Sequence, residues 1–316
     1  MNPKVSVIMS VYNGEQYLRE AMDSILNQAF TDFEFIIIND GGTDNTKQIL
    51  ESYSDPRIRL FHQKNIGLTK SLNKGLKVAN GEYIARQDAD DISELDRINQ
   101  EVSFLDNNSE IALIGTYVNF INEHGKKFDI WKPACRHEDI KKGLMKSNCF
   151  CHGSVMFRKK CLSVVGEYRE FFKYTQDYDL WVRISEKYKV ANLNNFLYQF
   201  RRYPKAISRK SLSEQLDFHL LVIQLAKERE KKGSDDFKNI KSSTPISLLK
   251  HYYKMDGRRI KKFKSTHFLK YSSEALSTNN YTDAARLWLK AFFLEPQKWK
   301  INFFVKQLLN TLIRQV

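Results

Sequence analysis

Residues 82–91 read Glu-Tyr-Ile-Ala-Arg-Gln-Asp-Ala-Asp-Asp, a short apolar strand pattern that ends in three carboxylates. Three acidic side chains within four residues repel one another, so a fold keeps them together only where a positive group lies among them. Side chains alternate along an extended segment, which directs Asp88 and Asp90 to the same side, where their oxygens suit one hard divalent cation. Taken alone, the cluster is more typical of a solvated acidic turn, and its surroundings decide between the two interpretations.

The first hundred residues alternate between the hydrophobic periods of strands and helices. The apolar runs predict strands at 5–11, 33–38, 57–62 and 82–87, separated by helices at about 17–26, 45–52 and 68–79. Such alternation predicts an α/β fold with a mostly parallel, doubly wound sheet flanked by helices, in which ligands bind at the carboxyl ends of the strands. Ser10, Asp40 and Asp88 all lie at predicted strand ends.

The later part of the chain continues this pattern and then changes character. Strands are predicted at 111–121, 154–158 and 193–201, and a helix at 177–188. After residue 207 helices and lysines dominate. Residues 227–236 are typical of a solvated linker, and residues 266–316 predict helical hairpins, one of which resembles a single tetratricopeptide-type hairpin. We therefore predict an α/β domain over 1–210 and a basic α-helical extension over 211–316.

Charge is distributed unevenly along the chain. Of the 51 Lys and Arg and 37 Asp and Glu residues, residues 201–316 hold 25 basic and 10 acidic ones, so the positive surplus lies in the last third. This asymmetry predicts a surface for a polyanion, either a nucleic acid or an anionic membrane. The four cysteines lack zinc-ligand spacing, and no apolar run approaches 18 residues or forms a signal peptide. We therefore expect a cytoplasmic protein with reduced thiols.

A series of motifs follows one order along residues 4–210. They are Val5-Ser-Val-Ile-Met-Ser-Val-Tyr-Asn-Gly, Asn39-Asp-Gly-Gly-Thr-Asp, Asn65-Ile-Gly-Leu, Asn73-Lys-Gly-Leu, Asp88-Ala-Asp-Asp, His152-Gly-Ser-Val-Met-Phe-Arg and Gln176-Asp-Tyr-Asp-Leu-Trp-Val-Arg. In this order the motifs resemble inverting family-2 glycosyltransferases of the GT-A fold, of the bacterial surface-polysaccharide type. The resemblance implies a Rossmann-like sheet and a nucleotide-sugar donor.

The resemblance implies a donor site on the first two strand ends. Ser10, Tyr12 and Asp40 would contact the uracil and ribose of a UDP-sugar. The two glycines that follow Asp40 would let the backbone approach a ligand closely. Asn39 and Gly42 depart from the Asp and Ser that are usual there, and Asp40 by itself is also compatible with a turn-forming residue.

The same resemblance makes the acidic cluster a metal-binding DxD motif. Asp90 would be the direct ligand, and Asp88, which also belongs to the metal site, would lie nearer the ribose. Mn²⁺ or Mg²⁺ held there would stabilise the diphosphate as it leaves. Two roles stay open for Asp91, which would either support the metal ligands or cap the next helix.

Asp177 is the candidate general base, because inverting transfer needs one carboxylate that accepts the proton of the attacking acceptor hydroxyl. Its position also suits a carboxylate that only interacts with the helix dipole. Asp179, two residues later, would face elsewhere on the helix. His152 is compatible with either a hydrogen-bonded core histidine or a role near the donor sugar or acceptor.

Arg201 and Arg202 occupy the place where relatives often carry an Arg-x-His segment that folds over the diphosphate. The resemblance therefore implies that one or both contact phosphate. Tyr203 stands where the histidine would be, which leaves open whether a third protein ligand to the metal exists. A solvated basic loop is the alternative for this segment.

The C-terminal region combines an apolar stripe with basic residues. The stripe consists of Trp299, Phe303, Phe304, Leu308, Leu309 and Leu312, and the basic cluster of Arg258, Arg259, Lys261, Lys262 and Lys264. Basic amphipathic helices with aromatic residues lie in the membrane interface, so we expect peripheral attachment to the cytoplasmic face of the plasma membrane. The alternative is that the stripe packs on the preceding hairpin.

The leading hypothesis is an inverting transferase that moves a hexose or N-acetylhexosamine from a UDP-sugar to a lipid-linked glycan acceptor in surface-polysaccharide biosynthesis. A protein or another cell-wall polymer is the alternative acceptor. A basic nucleic-acid-binding protein is disfavoured because the sequence contains no recognisable binding module. A dinucleotide-dependent oxidoreductase is disfavoured because the first strand lacks a GxGxxG motif.

Overall fold

The computed structural model describes residues 2–203, 212–237, 240, 257–277 and 281–295. The chain divides into two compact units, Met1–Ser243 and Thr244–Val316. The first unit extends beyond the predicted boundary at residue 210, because the helix Leu212–Lys232 packs against the helix Gln176–Lys187 of that unit.

A nine-stranded sheet forms the centre of the first unit. Its strands are β1 (Val5–Val11), β2 (Phe33–Asn39), β3 (Ile58–His62), β4 (Tyr83–Arg86), β5 (Ile92–Ser93), β6 (Ile111–Ile121), β7 (Lys127–Trp131), β8 (Met156–Arg158) and β9 (Lys189–Arg201). Their order is β3-β2-β1-β4-β8-β6-β9-β5, and β7 pairs with β6. The first four strands are parallel, as predicted. The sheet then becomes mixed, because β8 runs antiparallel to both β4 and β6.

Eight α-helices belong to the described part of the first unit, and two belong to that of the second. They are α1 (Leu18–Leu26), α2 (Thr46–Glu51), α3 (Leu68–Val78), α4 (Arg97–Asn107), α5 (His137–Leu144), α6 (Leu162–Val165), α7 (Gln176–Lys187), α8 (Leu212–Lys232), α9 (Gly257–Ser277) and α10 (Tyr281–Leu294). The predicted helices of the first hundred residues are all present, whereas α4, α5, α6, β5 and β7 were not predicted. Strand β9 begins at Lys189, four residues before the predicted start.

Strand β2 illustrates why the apolar runs become central strands. All seven of its residues are buried, which is typical of a parallel strand covered on both faces. Its one acid, Glu34, accepts hydrogen bonds from the Ser6 hydroxyl and the Asn80 backbone N–H, at 2.6 Å each, and pairs with Arg59. Although burial opposes ionisation, these donors hold the pKa of Glu34 below its ordinary value. The carboxylate thereby ties β1, β2 and β3 together.

The prediction of a solvated linker at residues 227–236 is wrong. Helix α8 continues to Lys232, and the segment after it returns to the domain. Arg229 pairs with Glu186 at 2.7 Å, and Asp235 pairs with Arg169 at 2.9 Å. These ion pairs lie partly buried, so charged residues that suggested solvent exposure instead fix α8 to the sheet domain.

The second unit contains an antiparallel helical hairpin. The hydroxyls of Ser272 and Ser265 donate to the carbonyls of Ala284 and Ala291, so α10 runs back along α9. Lys264 is buried and therefore does not belong to the exposed basic cluster predicted from the sequence. The predicted apolar stripe at 299–312 lies outside the described residues. Among the helices that are described, none combines the length and apolar content needed to cross a membrane.

Substitution of Glu101 by glutamine is expected to stabilise the protein at alkaline pH. Glu101 is fully buried beside Arg97 at 3.8 Å, and burial raises the pKa of its carboxyl to about 8. The folded state therefore retains a proton that the unfolded chain releases near its ordinary pKa of 4.5, and stability declines as pH rises between these values. Glu101→Gln should remove this decline and raise the unfolding free energy at pH 8 by about 2–4 kcal/mol.

Urea denaturation at pH 5 and pH 8 measures this effect. Glu110→Gln, at an exposed position after α4, is the matched control and should follow the wild type at both pH values. An equal pH dependence of Glu101→Gln and the wild type would contradict the assignment of the titrating group.

Candidate active site

The segments that follow β1, β2 and β4 lie side by side at one edge of the sheet. The backbone N–H of Asp40 donates to the Val11 carbonyl at 2.9 Å, and that of Gln87 donates to the Ile8 carbonyl at 3.1 Å. This edge brings together residues predicted for donor and metal binding, which are Ser10 near the end of β1 and Tyr12, Asp40, Asp88 and Asp90 on the segments that follow the strands. The Tyr12 side chain is exposed, whereas Asp40 is buried.

Asp40 organises the loop that follows β3. One carboxylate oxygen accepts from Gln63 Nε2 at 2.7 Å and from the Ile66 N–H at 2.9 Å, and the other accepts from the Gly67 N–H at 2.9 Å. Gly41 has a φ of +75°, and a Cβ there would lie 2.6 Å from the Asn65 backbone nitrogen. Gly41 therefore allows the backbone to lie close to this loop of the protein, whereas the sequence predicted close approach to a ligand.

Substitution of Asp40 by alanine is expected to destabilise the domain by about 2–3 kcal/mol, because it leaves two backbone N–H groups without their acceptor. The Ile66 and Gly67 amides should lose protection against hydrogen exchange. Urea denaturation and hydrogen-exchange NMR measure the two effects. Asp32→Ala, at an exposed position before β2, should leave both unchanged; unaltered protection at Ile66 in Asp40→Ala would contradict the expectation.

A buried arginine supplies the positive charge that the acidic cluster requires. Arg86, at the end of β4, donates to Asp88 Oδ1 at 2.7 Å and to the Ile8 carbonyl. The Asp88 N–H lies 3.3 Å from the Tyr198 hydroxyl oxygen. A Cβ at Gly153 would lie 1.8 Å from that hydroxyl oxygen and 3.1 Å from Asp88 Oδ2, so this position needs glycine. Neither Arg86 nor Tyr198 was assigned a role from the sequence.

His152 lies directly behind Asp88. Arg86 Nε donates to His152 Nε2 at 3.1 Å, and His152 Nδ1 lies 3.7 Å from Asp88 Oδ1. Its ring packs against Tyr168 and Trp181. Burial and the neighbouring Arg86 charge lower the pKa of His152, so the imidazole is neutral at physiological pH. His152 is thus a buried, hydrogen-bonded histidine, as one of its two predicted roles requires, and it lies beside the Asp88 carboxylate.

Asp90 is held by the residue that stands in the place of the relatives' histidine. The Tyr203 hydroxyl donates to Asp90 Oδ2 at 2.9 Å, and its ring packs against Tyr17 with centroids 5.3 Å apart. Burial, together with the Asp88 charge, raises the pKa of Asp90 to about 6. Tyr203 therefore acts in the structure as a hydrogen-bond donor to the predicted metal ligand.

Asp91 supports this loop from inside the domain. It is buried, and its Oδ1 accepts from the Arg201 backbone N–H at 2.7 Å. Strand β5 follows immediately, and α4 starts only at Arg97 after Asp96. Helix capping, one of the two predicted roles of Asp91, is therefore wrong.

The carboxylates of Asp88 and Asp90 fit a divalent cation whose remaining coordination positions are filled by substrate and water. Asp88 Oδ2 and Asp90 Oδ1 accept no hydrogen bond from the described residues. Within that same part of the chain, no three His, Cys, Asp or Glu side chains form a complete cage. Mg²⁺ and Mn²⁺ sites that act on phosphates commonly use one or two carboxylates and take their other ligands from the substrate and water.

Asp177 lies in the first turn of α7 and is half-buried. Asn148 Nδ2 donates to Asp177 Oδ2 at 2.8 Å, which fixes the carboxylate, and Oδ1 accepts no hydrogen bond from the described residues. The residue before the helix, Thr175, has a φ of +60°. By contrast, Asp179 is fully buried and pairs with Arg183 at 2.8 Å, so it has a structural role.

The two arginines at the end of β9, Arg201 and Arg202, are engaged by protein groups. Arg201 is buried, donates to the Asp90 carbonyl at 2.9 Å and pairs with Glu20 at 2.8 Å. The Arg202 guanidinium lies 3.5 Å from the ring centroid of Phe120. Arg201 is thus not part of a solvated basic loop, and direct phosphate contact would require it to exchange these partners.

Comparison with known sequences relates these features to one family. The family model described as Glycosyl transferase family 2 matches residues 6–166. EpsE of Bacillus subtilis (strain 168), which is named as a glycosyltransferase, is 34% identical over 264 residues that cover 80% of this chain and 94% of EpsE. The O-antigen biosynthesis glycosyltransferase WbnJ of Escherichia coli is 33% identical over 216 residues that cover 66% of this chain and 84% of WbnJ. The family match includes Asp88 and Asp90 and ends before Asp177.

Solved structures share the fold at low sequence identity. S. aureus TarS 1-349 in complex with UDP-GlcNAc superposes with a TM-score of 0.58 at 16% identity, covering 94% of this chain and 93% of that chain. The mannosyltransferase PcManGT from Pyrobaculum calidifontis, in complex with GDP-Man and Mn²⁺, superposes with a TM-score of 0.55 at 15% identity, covering 95% and 89%. The predicted GT-A fold is confirmed.

Proposed function

Because the chain belongs to glycosyl transferase family 2 and is similar to enzymes of polysaccharide biosynthesis, we propose that it transfers a hexose or N-acetylhexosamine from a UDP-sugar to a glycan. The transfer would invert the configuration at the anomeric carbon. The observation that carries this proposal is that the charges of two carboxylates, Asp88 and Asp177, both act on the buried His152. Asp88 lies on one side of this histidine, and the charge of Asp177 also acts on it. Family membership favours glycosyl transfer over the nucleic-acid-binding and oxidoreductase alternatives.

The two sites suit the two halves of an inverting displacement. Asp177 would accept the proton of the acceptor hydroxyl through Oδ1 while that oxygen attacks the anomeric carbon. Asn148 keeps the carboxylate oriented for this step. Asp88 and Asp90 would hold Mn²⁺ or Mg²⁺, which supplies charge neutralisation for the departing diphosphate. Arg86 holds the Asp88 carboxylate in place.

The donor is proposed to be a UDP-sugar. The names of the structural neighbours include UDP-GlcNAc for TarS and GDP-Man with Mn²⁺ for PcManGT, which supports a sugar nucleotide and a divalent cation. UDP is favoured because Ser10, Tyr12 and Asp40 match the uracil-binding positions of the family. Asp40 is largely occupied by the loop after β3, so it would contribute mainly by positioning that loop.

Nucleotide release with a panel of donors tests the proposed reaction. UDP-glucose, UDP-galactose, their N-acetyl forms and GDP-mannose are each supplied with Mn²⁺, and release is compared with EDTA-treated samples. At least one UDP-sugar should turn over in a metal-dependent way. The anomeric proton coupling in the NMR spectrum of the product should then show the configuration opposite to that of the donor. Turnover of GDP-mannose alone, or a retained anomeric configuration, would overturn the assignment.

The acceptor is proposed to be lipid-linked and reached at the cytoplasmic face of the plasma membrane. Within the described part of the second unit, Arg258, Lys261 and Lys262 are exposed on α9, and Leu289 and Phe293 are exposed on α10. Basic residues attract anionic headgroups, at about 1 kcal/mol for each residue near the surface. Exposed apolar side chains can enter the interface.

Charge reversal at Lys261 and Lys262 is expected to weaken binding to anionic vesicles by about tenfold or more. Flotation with vesicles of phosphatidylcholine and phosphatidylglycerol measures this binding, and neutral phosphatidylcholine vesicles show its charge dependence. Lys141→Glu with Lys142→Glu, an exposed pair on α5, is the matched control. Equal losses in the two double variants would contradict a role of α9 in membrane attachment.

A further inference from the structure

A concave surface lies between α4 and the first half of β9. Its cavity volume is about 690 Å³, within the range of about 300–1,000 Å³ that is typical of ligand sites. We name it the amide groove after the side chains that line it, which are Gln100, Asn99, Asn107, Asn108, Asn192, Asn194 and Asn195. None of these residues belongs to the candidate active site.

The amide groove is uncharged in a highly charged protein. Among the residues that the structure describes, no Lys, Arg, His, Asp or Glu lines it, although charged residues make up 28% of the chain. Six of the 22 asparagines in the sequence line this one surface. A nucleic acid, an anionic lipid or a charged peptide would find no ion pair here, whereas amide groups match the hydroxyls of a neutral carbohydrate.

Local hydrogen bonds hold the amides on the α4 side in fixed orientations. Asn107 and Asn108 each donate through Nδ2 to a backbone carbonyl one turn earlier, at 2.8 Å. Asn99 and Gln100 donate to Asp96 at 2.9 and 2.8 Å. The amide nitrogens are thus engaged, and the amide oxygens of these four residues accept no hydrogen bond from the described part of the chain. Fixed oxygen acceptors suit hydroxyl donors, because little side-chain entropy is lost on binding.

The opposite wall is also built from a fixed asparagine. Asn192 is buried and donates to the carbonyls of Ala134 and Cys149 at 2.7 and 3.2 Å, which anchors the strand segment that carries the exposed Asn194 and Asn195. Two half-buried aromatic rings, those of Phe104 and Tyr117, add apolar surface to the groove. Rings of this kind pack against the C–H faces of sugars while polar groups bind the hydroxyls.

We propose that the amide groove binds a neutral segment of the glycan acceptor, remote from the sugar that reacts. This inference rests on the proposed transferase function. Strand β9 connects the two places, since it runs from Asn192 in the groove to Gln199, which pairs with Ile92 beside the DxD loop. The strand rise puts about 20 Å between them. A polymer of several sugar units can therefore occupy both places, whereas a mono- or disaccharide cannot.

Glycan binding without any donor tests the groove directly. The full chain is applied to an array of neutral and acidic bacterial polysaccharides and oligosaccharides, and binding is quantified by calorimetry for each positive glycan. At least one neutral polysaccharide should bind, and Ser103→Trp with Asn194→Arg should weaken that binding by about tenfold or more, because it fills the groove and removes hydrogen bonds. Both positions are exposed, so folding should be retained.

Ser54→Trp with Asn27→Arg introduces the same side chains at exposed positions outside the groove and serves as the control. The proposal is overturned if no neutral glycan binds, if only acidic glycans bind, or if the groove variant binds as tightly as the control. Since these measurements need no turnover, a failure of the transferase assay with retained glycan binding would contradict the proposed function and leave the groove supported.

Kinetics with acceptors of different length provide a second readout. The groove variant should raise KM for a long acceptor by about tenfold while kcat and the KM for a short acceptor stay unchanged. Equal changes for long and short acceptors would show that the substitutions act on the catalytic centre and would contradict a remote binding site.

Discussion

Replacing Asp177 by asparagine is expected to lower kcat by about 10²–10⁴-fold, the range associated with loss of general acid–base catalysis. Asparagine keeps the size of the side chain and can still accept the hydrogen bond from Asn148, but it cannot take the acceptor proton. The KM of the donor should change little. Nucleotide release at saturating donor and acceptor measures the loss, and circular dichroism verifies that the variant is folded.

A control variant separates catalysis from a helix-dipole effect. Asp139 occupies the first turn of α5, is exposed and has no role in the site, so Asp139→Asn should retain full activity. Asn148→Ala should give an intermediate loss in kcat, because the carboxylate remains but is no longer oriented. Wild-type kcat in Asp177→Asn would refute its role as the base.

Replacing Asp90 by alanine is expected to abolish Mn²⁺ binding at the site and to lower kcat by about 10³-fold, since a metal ion contributes several kcal/mol to stabilising the leaving group. Two carboxylates are the only protein ligands proposed here, so the loss of one leaves the cation with few protein contacts. Electron paramagnetic resonance of Mn²⁺ measures binding independently of turnover.

Asp129→Ala, which removes an exposed carboxylate on β7, should bind Mn²⁺ and react as the wild type does. If Asp90→Ala retained the Mn²⁺ signal of the wild type, the metal site would have to lie elsewhere. Loss of activity with unchanged Mn²⁺ binding would instead assign Asp90 to donor positioning.

The parts of the fold that follow strong hydrophobic patterns were predictable from the sequence. Strands β1 and β2 are continuous apolar runs, and their burial in a parallel sheet follows from that pattern. Helix α4 was missed although Ile98, Val102 and Leu105 lie on one buried face, because its buried positions also include Arg97 and Glu101. Ionisable residues in the interior hide the apolar period on which such predictions depend.

The candidate site was predictable as a set of acids but not as an arrangement. The resemblance named Asp88, Asp90 and Asp177, whereas their partners Arg86, Tyr198 and Asn148 carry no motif of their own. Tyr198 contacts Asp88 across 110 residues of sequence, and Asn148 contacts Asp177 across 29. Contacts over such separations depend on tertiary packing, which spacing along the chain does not reveal.

The attachment of the DxD loop to the end of β9 has a consequence for the order of folding. Tyr203 reaches Asp90 across 113 residues, and the Arg201 N–H reaches Asp91 across 110. During synthesis, the carboxylates emerge from the ribosome long before the groups that hold them. In a nascent chain that ends before residue 201, Asp90 and Asp91 therefore lack these two hydrogen-bond donors, and the acidic loop reaches its final arrangement only after β9 has been synthesised.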